Sequence, residues 1–188
     1  MTQTTPGFVG RATRLSPYLL AVVVAVAVGV FGTAHQPDYT FGLLGRTYLD
    51  ATRLKAWIAS VVAGLALVQL GLALWIYGRL PRAGAAPRWA HRTHRANGVL
   101  TVALTIPVAV HCLVAYGFQT GSSRVLVHSV AGCAFYGLFV GKVCLVHDRR
   151  QPGWALPLVG GLLVMVIGLL WYTAALWVLD GYRVPLLQ

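Results

Sequence analysis

The sequence predicts an all-α fold, a polytopic membrane helical bundle with five transmembrane helices. Of its 188 residues, 57% are hydrophobic and only 10% are charged, whereas a soluble domain carries about 25% charged residues. Five apolar runs, each long enough to cross a hydrocarbon core of about 30 Å, alternate with short polar segments. We therefore predict a polar segment at 1–14, one transmembrane domain at 15–179 and a short tail at 180–188.

The first two predicted spans cover residues 15–33 and 54–77. The first lacks a clear cleavage signal, so we expect a retained anchor rather than a signal peptide. The connection at 34–53 is expected to cap the bundle. In the second span, Gln69 is a lone polar residue at mid-depth and predicts an interhelical hydrogen bond. Glycines recur there every seven residues, at Gly64, Gly71 and Gly78, a pattern that favours close helix packing.

The remaining spans are predicted at 96–118, 124–145 and 154–179, and the third contains Pro107. Ten of the fifteen basic residues fall on one side of this arrangement. Because positive charge is enriched in cytoplasmic loops, we expect a cytoplasmic N-terminus and an outside C-terminus in the cell inner (cytoplasmic) membrane. The ten are Arg11, Arg14, Arg79, Arg82, Arg88, Arg92, Arg95, Lys142, Arg149 and Arg150.

Five of the six histidines lie in the predicted helical hairpin at 91–150. His111 and His128 are equidistant from its QTGSS turn, so they should lie at equal depth, roughly 10–13 Å along each helix from the turn. An ionisable residue inside a span is a functional hypothesis by default. Two neutral imidazoles at one depth are the axial ligands of a low-spin haem, whose properties depend on ligand identity and burial.

A second histidine pair, His94 and His147, is level at the other end of the same hairpin. We therefore expect haem b, with one or two copies per chain. Arg124 lies one turn from His128 and Arg150 one turn from His147, and each is placed to meet a haem propionate. Adjacent helices pack about 8–10 Å apart, which is too close for haem. The third and fourth helices must therefore be separated, or each histidine must pair with another ligand.

Composition and motifs exclude several other classes of function. The net charge of +11 comes from basic residues between apolar runs, so it indicates topology and a lipid bilayer partner rather than nucleic acid. The three cysteines lie inside apolar helices, without the CxxC or CxxCH spacing of redox or c-type haem motifs. No nicotinamide or flavin motif is present, so any such cofactor would belong to a partner.

Four stretches resemble an uncharacterised family of bacterial five-helix membrane proteins: AHQPDYTFGLLGR, VAVHCLVAYGFQT, RVLVHSVAGCAFYG and RRQPGWALPLVGG. The histidines at 94, 111, 128 and 147 are also similar to those of b-type membrane cytochromes, such as the cytochrome b561 and ferric-reductase groups. That second resemblance implies haem held between helices and electron transfer across the membrane. Those groups usually take their ligands from non-adjacent helices, and their histidine spacing often differs from that seen here.

We therefore expect a membrane b-type haem protein that carries electrons, as an oxidoreductase or an electron-transfer subunit. A quinone or a cytoplasmic-side donor would supply electrons, and an extracytoplasmic redox protein would accept them. Two alternatives remain open. One is a haem-free scaffold subunit whose histidines brace the helices. The other is a transporter with His111 and His128 in a metal or proton path, although no intramembrane carboxylate accompanies them.

Overall fold

A computed structural model describes residues 8–148 and 151–183, with side chains from residue 16 onward. Five helices in it are long and apolar enough to cross a membrane, which confirms the predicted fold class and number of spans. The elements are α1 (Phe8–Ala34), α2 (Tyr48–Ile76), α3 (Arg88–Ala115), α4 (Ser123–His147), α5 (Ala155–Leu170), a π-helical segment (Trp171–Leu176) and α6 (Trp177–Leu179). The last three elements together form the fifth span, Ala155–Leu179.

Most helices extend beyond the predicted apolar runs. Helix α1 begins at Phe8, inside the segment predicted to be polar, and α3 begins at Arg88, eight residues before the predicted span. Hydropathy marks the edge of the hydrocarbon core, whereas backbone hydrogen bonding continues through the headgroup region, where charged side chains reach water. The bounds predicted from hydropathy therefore describe the apolar part of each helix rather than its ends.

Helices α1 and α4 make the closest helix contact of the bundle. A Cβ added at Gly137 would collide with the backbone oxygen of Ala21, and one at Gly141 would lie 3.0 Å from the Cβ of the same alanine. The two glycines form a small-xxx-small pair that lets the backbones approach. The predicted contact through Gly64 and Gly71 is wrong, because nothing lies within 4 Å of a Cβ at either position.

Helices α3 and α4 are neighbours in sequence but each packs mainly on other helices, although a hydrogen bond from Tyr136 to Thr105 at 3.1 Å joins them. Helix α3 packs mainly on α2, whereas α4 packs on α1 and α5, and α2 closes the ring against α5. Their separation meets one of the two conditions that the sequence set for a ligand between them. We call the end of the bundle where α2 and α4 begin the His128 end, and the opposite end the His94 end.

The connection at 35–47 packs onto the His128 end. The amide of Asp38 donates to the carbonyl of Val114 at 3.0 Å, and the ring of Phe41 lies 6.0 Å from that of His111. Leu43 is buried. The Asp38 carboxylate accepts hydrogen bonds from the hydroxyl and the amide of Thr40. These bonds, the hydroxyl one foremost, hold the pKa of Asp38 below its ordinary value.

Candidate functional site

A cavity of about 610 Å³ lies among α2, α3, α4 and the fifth span at the His128 end, and we call it the α3–α4 cavity. Its volume falls within the range of about 300–1,000 Å³ that is usual for small-molecule and cofactor sites. Its walls are mainly apolar, and Thr105, Phe135 and Ile167 mark its deep part. Gly132 also lines it, and a Cβ added there would meet nothing within 4 Å. The absent side chain therefore leaves open space beside His128.

His128 lines the cavity, and its ring forms a hydrogen bond with Thr173 of the fifth span. The distance from His128 Nδ1 to the fully buried Thr173 Oγ1 is 3.0 Å. The single hydroxyl hydrogen of Thr173 is directed to a backbone carbonyl, that of Leu169 at 2.8 Å or that of Leu170 at 3.3 Å. The hydroxyl therefore accepts from His128, and the imidazole proton lies on Nδ1. His128 Nε2 is then the nitrogen with a lone pair for a ligand.

This arrangement is compatible with metal binding by His128. A metal-binding histidine almost always donates its second ring N–H to an oxygen, which fixes both its tautomer and its orientation. Thr173 lies in the π-helical segment Trp171–Leu176. Single π-helical turns inside α-helices occur frequently at functional sites. Here the local change of helix geometry coincides with the residue that positions His128.

Two cations line the same end of the cavity. Arg124 donates from Nη1 to the carbonyl of Thr173 at 2.7 Å, and its guanidinium lies 3.8 Å from the Trp177 ring centre. Lys55 Nζ lies 4.4 Å from the Tyr116 ring centre and 3.9 Å from the thiol sulfur of Cys112. All of these neighbours are neutral. None of the four acidic residues, each within the described part of the chain, lines the cavity.

Lys55, His128 and the Thr173 that holds it lie at similar depth. Lys55 is seven residues after the start of α2, His128 is five residues after the start of α4, and Thr173 is six residues before the end of the fifth span. At 1.5 Å per residue, these Cα positions lie about 8–10 Å from the helix ends. Arg124 is at the start of α4 but reaches inward to the carbonyl of Thr173. The cavity thus has a cationic upper layer and a largely apolar lower part, in which the hydroxyl of Tyr136 donates to that of Thr105 at 3.1 Å.

His111, the predicted partner of His128, does not line this cavity. It is 2% exposed, and its ring packs against Phe41 at 6.0 Å and Tyr116 at 5.7 Å. Its Nδ1 is buried without a hydrogen-bond partner in the described part of the chain. The structure therefore places the two histidines at one end of the bundle, as predicted, but does not bring them into a common cavity.

His94 belongs to a polar network on α2 and α3, but its Nδ1 is buried without a hydrogen-bond partner in the described part of the chain. The amide Nδ2 of Asn97 donates to Gln69 Oε1 at 2.8 Å and to the carbonyl of Leu65 at 2.9 Å. Because Gln69 Oε1 is the acceptor, Gln69 Nε2 is the donor toward His94 Nε2 at 3.2 Å. The lone pair of His94 is therefore already used by the protein. The interhelical hydrogen bond expected of Gln69 is present.

The other predicted residues of the His94 end are not assembled with His94. His147 is exposed, and its Nδ1 donates to the carbonyl of Val143 on its own helix at 2.8 Å. Arg150, the predicted propionate partner there, lies outside the described residues. No group of three or more histidine, cysteine or acidic side chains that could hold a metal ion occurs among the described residues.

The sequence pointed to His128 and Arg124 but missed Thr173 and Lys55. Thr173 carries no motif, since its role depends on a π-helical segment that hydropathy does not reveal. Lys55 offered a usable signal, because a lysine seven residues inside an apolar helix is rare and usually functional. Its position at 55, one residue after the predicted start of the second span, made it look like an interfacial residue.

These features define a multi-pass membrane helical bundle with a partly open, cation-lined cavity. The chain belongs to the family described as "Family of unknown function (DUF6529)", whose model matches residues 14–186. That membership agrees with the resemblance read from the four sequence stretches. No curated protein and no solved structure matches the chain.

Proposed function

We propose that this protein is a membrane b-type haem protein, with a single haem in the α3–α4 cavity bound through His128 Nε2. The observation that carries the proposal is the hydrogen bond from His128 Nδ1 to Thr173, which leaves Nε2 for a ligand on the cavity side. The open space at Gly132 and the largely apolar walls suit a porphyrin. Arg124 and Lys55 supply positive charge for its carboxylates.

The haem would carry electrons by cycling between its ferric and ferrous states. A quinone or a cytoplasmic-side protein would reduce it, and an extracytoplasmic redox protein would oxidise it. We place the N-terminus in the cytoplasm and the C-terminus outside, in the cytoplasmic membrane, on the basis of the ten-to-five distribution of basic residues. A C-terminal alkaline phosphatase fusion should then be active and a fusion at Arg88 inactive, and the reverse would contradict the orientation.

Ligation by His128 alone differs from the two-histidine coordination expected from the sequence. Of the six histidines, all within the described residues, only His128 lines the cavity. The protein therefore supplies one imidazole to the site. Two haems, with His94 and His147 at the second, remain a prediction, but the engaged lone pair of His94 favours a single haem.

The direct test is the absorption spectrum of detergent-purified protein from cells supplied with a haem precursor. We expect a Soret band and about one haem per chain. His128→Gly should lose the haem, and added imidazole should restore it by occupying the vacated space. His147→Gly is the matched control, because that ring is exposed and hydrogen-bonds to its own helix, and it should retain wild-type haem content.

A second variant tests the cavity without altering a ligand. Gly132→Leu would place a large side chain in the open space beside His128, so it should exclude haem while improving helix propensity. Gly161→Leu makes the same change at a glycine of α5 that also meets nothing within 4 Å but does not line the cavity. Wild-type protein without haem absorbance, or full haem content in Gly132→Leu, would overturn the proposal in favour of the scaffold alternative.

A further inference from the structure

We infer that Lys55 and Arg124 form a carboxylate-binding pair, which selects ligands with an acidic group at one end of an apolar body. The inference deepens the proposed function, for which the carboxylates would be the haem propionates. It also concerns a wider class of ligand, since a fatty acid has the same chemistry. The two sources can be distinguished by experiment.

The first argument is the unbalanced charge at this end of the cavity. Two cations line one largely apolar cavity, and none of the four acidic residues lines it. Both cations are partly buried, and a charge that loses part of its hydration is stabilised by a nearby opposite charge. The rings and the thiol beside Lys55 and Arg124 give partial compensation but no negative charge. An anionic ligand would complete the site.

The second argument is that both cations are held in place yet keep free donors. Arg124 uses Nη1 for the carbonyl of Thr173 and stacks on Trp177, so the remaining N–H groups of its planar guanidinium can meet a carboxylate. Lys55 is positioned over Tyr116, and its ammonium has three donors. Fixed cations of this kind lose little side-chain entropy when they bind a ligand.

The third argument is the polarity gradient of the cavity. Both cations lie in the layer that contains His128 and Thr173, whereas Phe135 and Ile167 line the deeper part. An apolar body would fill the deep part, and an acidic group would remain at the cationic layer. A neutral ligand of the same shape would leave both charges uncompensated. The site should therefore discriminate by charge as well as by shape.

The experiment compares each acid with its neutral counterpart by titration into detergent-solubilised apoprotein. Haem is compared with haem dimethyl ester, and hexadecanoate with hexadecanol. We expect the acid to bind about 10- to 100-fold more tightly than its neutral form, as is typical of hydrogen bonds to charged groups. Lys55→Gln with Arg124→Gln should abolish that preference while leaving the affinity for the neutral form nearly unchanged.

Arg53→Gln is the matched control, because Arg53 is an exposed cation two residues from Lys55 on the same helix and does not line the cavity. It should retain the full preference for the acid. Lys55→Arg keeps the charge and should retain most of it. If the double variant does not fold, the inference is judged on the wild type alone. Equal affinity for each acid and its neutral counterpart would then overturn it.

The outcomes separate the two proposals. If haem and its ester bind equally, and the fatty acid and the alcohol bind equally, the carboxylate-binding pair is overturned. If only hexadecanoate binds, with the expected response to the variants, the haem proposal fails and the carboxylate-binding pair stands. If haem binds with the same affinity as its ester, and the variants have no effect, His128 ligation stands and this inference fails.

Discussion

The two ends of the bundle each contain an interior histidine, but they use it differently. At the His94 end, Gln69 donates to His94 Nε2, and Asn97 fixes the orientation of that amide. At the His128 end, Thr173 accepts from His128 Nδ1, and Nε2 is left for the cavity. The Nε2 lone pair of His94 is used in a contact between two helices, whereas the Nε2 lone pair of His128 has no hydrogen-bond donor in the described part of the chain.

This difference shows that the depth of a histidine in the membrane does not by itself indicate whether the side chain can ligate a metal. His94 and His128 both lie within membrane spans, and the sequence assigned both the same role. What separates them is the hydrogen-bond partner of each ring nitrogen. A partner that donates to the imidazole consumes its lone pair, whereas a partner that accepts from it prepares the other nitrogen for binding.

The largest expected effect is on the spectrum of a haem at the His128 end. Only one of the six histidines lines the cavity, so this chain would offer a haem held there no second imidazole, and we expect such a haem to bind carbon monoxide. Carbon monoxide added to the dithionite-reduced protein should shift the Soret band of the whole haem population. A six-coordinate spectrum that does not respond to carbon monoxide would contradict single-histidine ligation and point to a second protein ligand.

Thr173→Val removes the acceptor that positions His128, and it should lower haem affinity by about 10- to 100-fold, as is typical when a partner behind a metal ligand is lost. Thr173→Ser keeps the hydroxyl and should restore most of the affinity. Haem transfer to apomyoglobin measures the change.

Thr101→Val is the control for that experiment. Thr101 is also buried and also donates to the carbonyl four residues earlier, that of Asn97 at 2.7 Å, but it lies on α3 and, unlike Thr173, makes no hydrogen bond to His128. A loss of haem affinity in Thr101→Val as large as that in Thr173→Val would assign the effect to helix stability rather than to positioning of His128.

Asn97→Leu should affect the His94 end alone. It removes two hydrogen bonds between α3 and α2, and membrane hydrogen bonds are worth about 0.6–2 kcal/mol each. We expect a loss of about 1–2 kcal/mol in the free energy of unfolding in mixed micelles, with unchanged haem content. Thr33→Val, at an exposed hydroxyl of α1, should cost less. Altered haem affinity in Asn97→Leu would show that the two ends are coupled.

The smallest effect concerns the connection at the His128 end. Thr40→Val removes the hydroxyl that donates to Asp38 and should raise the pKa of that carboxyl toward its ordinary value. A lowered folded-state pKa stabilises the protein above the ordinary pKa, and the stabilisation is lost as pH falls through the folded-state pKa. The variant should therefore be slightly less stable than wild type at neutral pH and equally stable in strong acid. A carboxyl-carbon NMR titration of Asp38 measures the shift, and an unchanged pKa would contradict this.

The number of spans could be predicted because length and apolarity alone determine it. The arrangement of the spans could not, because lipid chains are as apolar as the side chains that pack between helices. Hydropathy therefore does not distinguish the buried face of α3 from its lipid-facing side. The α1–α4 contact had a signal in the GLFVG stretch at 137–141, which fits the small-xxx-small pattern but was overlooked in favour of the seven-residue glycine spacing.

The same limit explains the outcome for the outer histidine pair. Symmetry about the turn predicts equal depth but says nothing about rotation around the helix axis. His111 and Cys112 differ by about 100° of helix rotation, and it is Cys112 that lines the cavity. Which of two neighbouring residues faces inward depends on the packing of α3 against α2, which no local pattern in the sequence specifies.

The measurement that tests the central claim most directly compares His128→Ala with His94→Ala in parallel. Both variants remove an interior imidazole that hydrogen-bonds to another helix. Haem content per chain is measured after expression with adequate haem supply, beside wild type. We predict that His128→Ala is devoid of haem and that His94→Ala retains the wild-type ratio with lower thermal stability. Loss of haem in His94→Ala with retention in His128→Ala would contradict the assignment of His128 as the ligand.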